Sequence, residues 1–219
     1  ANGNLAVCDV INHNVIEMTT EGAIVGTLAD SFNGSAIDYP NDCVVDAKGG
    51  IYFTAPHGGR GEKMQPSPAV FYITLDRRMI KVIEMEENTY PNGCLLNTDG
   101  TIFFLSDSSD KYVWMYDVNS NGTLTNKRTF AELLIKESED SRSVADGMTI
   151  DIEGNLYVAS EPGIQIFDRN GEFLGIIQFP KIPSNCVFGG HDMKTLYVTA
   201  RDHIYAVETN TIGFQFPLK

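Results

Sequence analysis

The feature that most constrains the fold is a phrase that occurs four times along the chain. Each copy has a short apolar run, a turn rich in glycine and aspartate, and then a run of β-branched and aromatic residues. The copies are PNDCVVDAKGGIYFTA from Pro40, PNGCLLNTDGTIFFLS from Pro91, ADGMTIDIEGNLYVAS from Ala145 and PSNCVFGGHDMKTLYVTA from Pro183. Because this turn chemistry is that of β-hairpins, each copy predicts an antiparallel pair of strands.

Two further strand-like runs follow each copy, which makes four strands per repeat. Four antiparallel strands at a period of about 40 to 50 residues are typical of a β-propeller blade. The runs NLAVCDV, NVIEMTT and AIVGTLAD, ahead of Pro40, predict three strands without an innermost one. We therefore predict an all-β chain that forms a single β-propeller domain over residues 1–219, with about five blades at approximately 1–38, 39–89, 90–143, 144–181 and 182–219.

Two segments are harder to assign to this pattern. TIGFQF, near the end of the chain, is predicted to be a weak fourth strand of the last blade, or else to supply a pairing that closes the ring. FAELLIKESED is the only helix-like stretch, and we expect it to form a connection or a lid rather than a blade strand.

The amino-acid composition limits the classes of partner that the chain could bind. The net charge of −13 and the sequence pI near 4.6 predict repulsion from nucleic acid and from anionic membranes, and they suit a bound cation. No apolar run approaches the length of a transmembrane helix. Most of the four cysteines stand just inside apolar runs, and this position favours buried thiols over disulfides. Unpaired thiols in turn favour a cytoplasmic location. The oligomeric state stays open.

Three polar residues occupy the same position in successive repeats. Asn41, Asn92 and Asp146 each open an innermost strand, so a propeller would direct them toward one point on its axis. Two amide oxygens and one carboxylate form an oxygen-only ligand set, which favours Ca²⁺ over zinc or copper. The alternative is that each is an ordinary turn residue bonded to its own backbone.

Four further residues lie in predicted loops at the same end of the ring and are weaker candidates for substrate binding. Arg201 could hold a hydroxyl or carboxylate of a substrate, or could form a surface salt bridge. Asp107 could orient a metal ligand or could be a turn residue. His57 and Arg60 belong to the longest loop and could contact substrate or be solvated.

Other catalytic chemistries find no support in the sequence. It contains no G-x-S-x-G motif of a serine hydrolase. The four histidines show no zinc-ligand spacing, and no glycine-rich phosphate loop opens a helix.

The repeats also resemble a known family. SFNGSAIDYPNDCVVDAKGGIYFTAPHGG, the repeat from Ala145 and PSNCVFGGHDMKTLYVTA are similar to segments of the gluconolactonase/regucalcin (SMP-30/gluconolactonase/LRE-like) family. The resemblance implies a six-bladed β-propeller with Ca²⁺, or another divalent cation such as Zn²⁺, Mn²⁺ or Mg²⁺, on the axis. Carried over by position, the metal ligands fall on Asn41, Asn92 and Asp146, and the acid/base aspartate also falls on Asp146.

One ligand of that family has no counterpart here. It is a Glu in an EGP phrase of the first blade, and no such phrase occurs in these residues, so we expect the chain to begin inside the second blade. The resemblance implies a lactonase in which the cation activates water and Asp146 acts as general base on a small lactone or similar cyclic ester. The alternatives are a non-catalytic propeller that binds a ligand or partner, and a phosphotriester-type hydrolase with the same metal site.

Overall fold

The computed structural model describes residues 3–57, 64–135 and 142–215, and every regular element in them is a strand. The first sheet has three strands, β1 (Leu5–Asp9), β2 (Asn14–Met18) and β3 (Ile24–Ala29). A two-stranded ribbon follows, formed by β4 (Ser31–Phe32) and β5 (Ser35–Ala36). No helix in this part of the chain is long and apolar enough to cross a membrane.

Three four-stranded antiparallel sheets and one three-stranded sheet come next. They are β6 (Cys43–Val45), β7 (Ile51–Ala55), β8 (Ala69–Ile73) and β9 (Met79–Glu84); β10 (Pro91–Leu96), β11 (Ile102–Asp107), β12 (Tyr112–Val118) and β13 (Leu124–Glu132); β14 (Met148–Ile150), β15 (Leu156–Ser160), β16 (Gly163–Phe167) and β17 (Phe173–Ile177); and β18 (Asn185–Gly189), β19 (Thr195–Ala200) and β20 (His203–Glu208). The strands within each sheet follow chain order, which is the arrangement of propeller blades. The predicted all-β propeller is confirmed.

The innermost strands β6, β10, β14 and β18 line a central cavity of about 630 Å³. We call the end of the ring at which these strands begin the top face. The hairpin turns at the opposite end are held by aspartates of the repeated phrase. Asp46 Oδ1 accepts hydrogen bonds from the N–H groups of Lys48 and Gly50, both at 2.8 Å, and Asp151 Oδ1 makes the equivalent pair of bonds in a later blade.

Neighbouring sheets pack through apolar side chains and through buried hydroxyl groups. The ring of Tyr52 packs on Phe103 of the next sheet, with ring centroids 5.1 Å apart. Near the top face, Thr54 Oγ1 donates to the Asn92 carbonyl at 2.7 Å. Ser106 Oγ makes the same type of bond to the Asp146 carbonyl at 2.8 Å. Each of these bonds fixes the first residues of the next innermost strand.

Glycine permits this close approach. A Cβ atom added to Gly93 would overlap the carbonyl oxygen of Asp146. The overlap is with backbone, so no side-chain rotation could relieve it. Gly93 therefore follows Asn92 because the next innermost strand leaves no room for a side chain.

Two expectations are corrected. The described residues of TIGFQF, 211–215, form no fourth strand of the last blade; instead Gly213 forms an isolated bridge with Asp151, and Phe214 N–H donates to the Ile150 carbonyl at 2.9 Å. The tail therefore lies against the end of β14 and packs Phe214 on the main core. FAELLIKESED is not only a connection, since Phe130–Glu132 complete β13; its last five residues, 136–140, lie outside the described chain. All four cysteines lie within the described residues and are free thiols.

Gly93→Ala is expected to destabilise the fold by about 1–3 kcal/mol, because the new methyl group must push two innermost strands apart. The measurement is the free energy of unfolding in urea. Gly175→Ala is the matched control, since Gly175 lies in a strand and an added Cβ atom would meet nothing within 4 Å there. Equal stability of the two variants would contradict the close-packed contact between blades.

Candidate active site at the top of the ring

The predicted ligand residues occupy equivalent backbone positions. The N–H of Asn41 donates to the Thr54 carbonyl at 2.8 Å, and the N–H of Asp146 donates to the Ala159 carbonyl at 2.9 Å. Asn92 lies in the corresponding place at the start of β10. Ser184 makes the equivalent bond to the Thr199 carbonyl at 2.8 Å, so a fourth innermost strand carries a hydroxyl group at this position.

The side chain of Asn92 is buried, and its orientation is determined by Ser108. Ser108 Oγ donates to the Ala145 carbonyl at 2.6 Å, so it accepts the hydrogen bond from Asn92 Nδ2 at 2.9 Å. The amide oxygen, Asn92 Oδ1, is then left buried without a hydrogen-bond partner. Since buried acceptors are rarely unpaired, this atom is positioned to accept a hydrogen bond from water or substrate, or to coordinate a cation.

Asp146 lies beside Asn92 and is poorly solvated. Burial and the negative charge of Asp42 raise the pKa of Asp146 to about 7. The N–H of Gly147, the guanidinium of Arg201 and the amide of Asn92 act in the opposite direction. A carboxyl group with a pKa near 7 can exchange a proton at neutral pH, which is a property of general bases.

Asp42 is a functional candidate that the sequence reasoning missed. Its two carboxylate oxygens accept hydrogen bonds from the N–H groups of Cys43, at 2.9 Å, and Cys94, at 3.0 Å. Burial raises the pKa of Asp42 to about 6 in spite of these bonds. The repeated phrase contained a signal for this role. At the position of Asp42, the second and third copies have Gly93 and Gly147, so the acidic residue is peculiar to the first of these copies.

The weaker candidates fall in different places. Arg201 occupies the turn between β19 and β20, with φ 58°, and its charge lowers the pKa of Asp146, so it belongs to the electrostatic environment of the site. Asp107 is buried, and its Oδ1 accepts bonds from the N–H groups of Tyr90 and Ser109, both at 2.9 Å. Its carboxylate thus holds the chain just before β10. Arg60 lies outside the described residues.

His57 belongs to a row of aromatic rings on the top face. Its ring stacks on Tyr39, with centroids 4.5 Å apart, and meets Tyr90 edge-on at 5.3 Å. Tyr39 and Tyr90 precede the Pro-Asn pairs of successive blades, so the row runs between the starts of two innermost strands. Tyr39 adopts φ 62°, which is rare for a bulky residue and implies that its surroundings hold it in place.

A divalent cation with a preference for oxygen fits these residues. The unpartnered Asn92 Oδ1 and the Asp146 carboxylate are suitable donors, and a cation would offset the repulsion between Asp146 and Asp42. The described residues contain no group of three or more His, Cys, Asp or Glu side chains that could hold a metal. A site here therefore depends on amide oxygens as well as on carboxylate.

The pKa values predict a pH dependence of stability in the absence of metal. Asp42 and Asp146 bind protons more tightly in the folded than in the unfolded chain, so their contribution is fully present below about pH 4 and is lost as the pH rises through about 6 and 7. The free energy of unfolding, measured in EDTA from pH 4 to 8, should fall over this range. Asp146→Asn should reduce the fall, whereas the exposed control Asp192→Asn should not. An unchanged profile in Asp146→Asn would contradict the assignment.

Comparison with known proteins identifies the family of this chain. A family model described as the SMP-30/Gluconolactonase/LRE-like region matches residues 1–202. A gluconolactonase of Zymomonas mobilis is 34% identical over 198 residues, which cover 85% of this chain and 54% of that protein. The regucalcin of Gallus gallus is 29% identical over 188 residues, which cover 81% and 59% of the two chains. The chain thus spans a little over half the length of these relatives.

A solved structure shows the same fold. The gluconolactonase of Xanthomonas campestris superposes with a TM-score of 0.79 at 23% identity, covering 94% of this chain and 68% of that one. At 23% identity this superposition shows a shared fold only. The relationship in sequence is shown by the family model and by the Zymomonas mobilis gluconolactonase. The chain belongs to the SMP-30/gluconolactonase/LRE-like family.

Proposed function

We propose that this chain carries the catalytic face of a divalent-cation-dependent hydrolase of sugar lactones or similar cyclic esters. The observation that carries the proposal is the buried, unpartnered Asn92 Oδ1 beside the Asp146 carboxyl group, whose ionised form is disfavoured by burial and by the charge of Asp42 and would be stabilised by a bound cation. The similarity to a gluconolactonase and to a regucalcin supports the same reaction class.

Asn41, Asn92 and Asp146 would hold the cation, with Ca²⁺ as the first choice because all three donors are oxygen atoms. The bound ion would supply a Lewis acid that polarises the carbonyl of the lactone. Three protein donors would supply only part of the roughly six to eight oxygen ligands that Ca²⁺ usually takes, so water and substrate would supply the rest.

Asp146 would act as the general base. Its carboxylate would accept a proton from a water molecule as that water attacks the carbonyl carbon of the lactone. When the tetrahedral intermediate collapses, the ring C–O bond breaks and the ring oxygen takes the proton back from Asp146, which leaves a hydroxy acid. Asp42 keeps negative charge close to this carboxylate and so favours its protonated form after the transfer. Arg201, whose charge acts on Asp146, would attract a carboxylate or hydroxyl of the substrate.

The aromatic row of Tyr39, His57 and Tyr90 would form a wall of the substrate site. Flat aromatic faces pack well against the apolar face of a cyclic ester while leaving polar edges for hydrogen bonds. In this arrangement His57 would contact the lactone ring and help to position it. The imidazole would take no part in proton transfer.

Lactone hydrolysis by the natural protein tests the proposal directly. EDTA should abolish turnover and added Ca²⁺ should restore it. Asp146→Ala should lower kcat by about 10²–10⁴, the usual contribution of a general base. Asp192→Ala, which removes an exposed turn carboxylate, is the matched control and should keep full activity.

Two outcomes would overturn the proposal. Turnover that ignores both chelation and the Asp146 substitution would rule out the metal-assisted mechanism. Cation binding at this site without turnover of any lactone would indicate a non-catalytic propeller that binds a ligand or partner.

A further inference from the structure

A second cluster of polar atoms is formed by side chains that have no assigned part in hydrolysis, at the junction of the β1–β3 sheet and the segment that leads to β6. His13 follows the turn after β1, and Asp38 lies in the segment that leads to β6. The two side chains face each other, with 3.6 Å between His13 Nδ1 and Asp38 Oδ1. This distance exceeds that of a hydrogen bond between nitrogen and oxygen.

Both side chains have polar atoms without partners. Asp38 is only 3% exposed, and its second oxygen, Oδ2, is buried without a hydrogen bond. His13 Nδ1 is likewise buried and unbonded, and so is the amide oxygen of the adjoining residue, Asn14. The imidazole of His13 can form an ion pair with Asp38 when it is protonated, and the buried Oδ2 of Asp38 still has an acceptor position open to a ligand.

The turn that carries His13 is rigid. Asp9 Oδ1 accepts hydrogen bonds from the N–H groups of Ile11 and Asn12, both at 3.1 Å, and Asp9 Oδ2 accepts one from the Asn12 amide at 2.7 Å. The carboxylate of Asp9 is thus engaged in the turn itself. His13 adopts φ 55° at the end of this turn, directly before the strand whose Val15 is fully buried.

Asp38 is held as firmly. Its N–H donates to Gln65 Oε1 at 3.1 Å, and the N–H of the preceding Ile37 donates to the Asp30 carbonyl at 2.9 Å. The side chain of Ile37 is fully buried in the same apolar cluster as Val15. The backbones on both sides of the pair are therefore anchored in one core, which preorganises the two donors.

We propose that His13 and Asp38 form a binding site for a first-row divalent cation of the Zn²⁺ class, with Asn14 Oδ1 as a candidate third donor. Imidazole nitrogen with carboxylate oxygen is a preferred combination for such ions. Two ligand atoms at about 2.1 Å from a tetrahedral Zn²⁺ are about 3.4 Å apart, close to the observed 3.6 Å. The half-exposed side chain of His13 leaves access for the ion and for water ligands.

The ion would link the β1–β2 turn to the segment that carries Tyr39 and Asn41. It would therefore stabilise the junction between the first two blades and the approach to the candidate active site. This site differs in chemistry from the oxygen-only site on the axis, because one of its donors is a nitrogen atom. The proposal does not depend on the proposed lactone hydrolysis.

Co²⁺ is the probe, because its visible absorption reports nitrogen and oxygen ligation, and the folding of each variant is checked by circular dichroism. In excess Ca²⁺, which would fill the oxygen-only axial site, the wild type should still bind a Co²⁺ that His13→Gln and Asp38→Asn each bind at least about tenfold more weakly. Zn²⁺ should compete with it. His203→Gln is the matched control, since His203 pairs with Asp202 at 2.8 Å on the exposed surface; this variant should bind as the wild type does.

Asp146→Asn separates the two sites, and Co²⁺ binding at the His13 site should survive that substitution. Equal Co²⁺ affinity in the wild type, His13→Gln and Asp38→Asn would overturn the proposal. So would loss of the Co²⁺ signal in Asp146→Asn alone, because the ion would then belong to the axial site. If one of the two variants fails to fold, the other decides the question.

Discussion

The buried hydroxyl groups near the top face join the start of one innermost strand to the sheet before it. Thr54 Oγ1 bonds to the carbonyl of Asn92, and Ser106 Oγ bonds to the carbonyl of Asp146. In each case the bonded carbonyl belongs to a candidate ligand residue. The contact that packs two blades together therefore also places a ligand, and Gly93 is needed because the strands approach too closely for a side chain. Stability of the ring and geometry of the site depend on one set of bonds.

The packing of the innermost strands places two acidic side chains, Asp42 and Asp146, in a poorly solvated region of the top face. Asp42 is held by the N–H groups of two innermost strands, and its charge contributes to the raised pKa of Asp146. Ser108 leaves the amide oxygen of Asn92 without a hydrogen bond. Two carboxyl groups and an unpaired acceptor that lie close together repel one another when ionised, and protonation or a bound cation would relieve this repulsion. Such a conflict between local stability and electrostatics is typical of functional sites.

The sequence predicted the fold well because each blade repeats the same turn chemistry, and this local signal is sufficient to order the strands. It also predicted that Asn41, Asn92 and Asp146 occupy equivalent positions. It did not predict the roles of Asp42 and Ser108, because these depend on bonds between sheets that no local pattern encodes. TIGFQF was assigned wrongly for a similar reason: an apolar tail suits any apolar partner, and in the structure Phe214 packs beside β14 rather than extending the last blade.

The central claim is that the top of the ring holds a divalent cation between Asn92 and Asp146. The most direct measurement is an anomalous-difference map from crystals of the protein soaked in Mn²⁺. We predict a peak within about 2.0–2.6 Å of Asn92 Oδ1 and of a carboxylate oxygen of Asp146. A map without a peak there, with a water molecule bonded to Asn92 Oδ1 instead, would contradict the account.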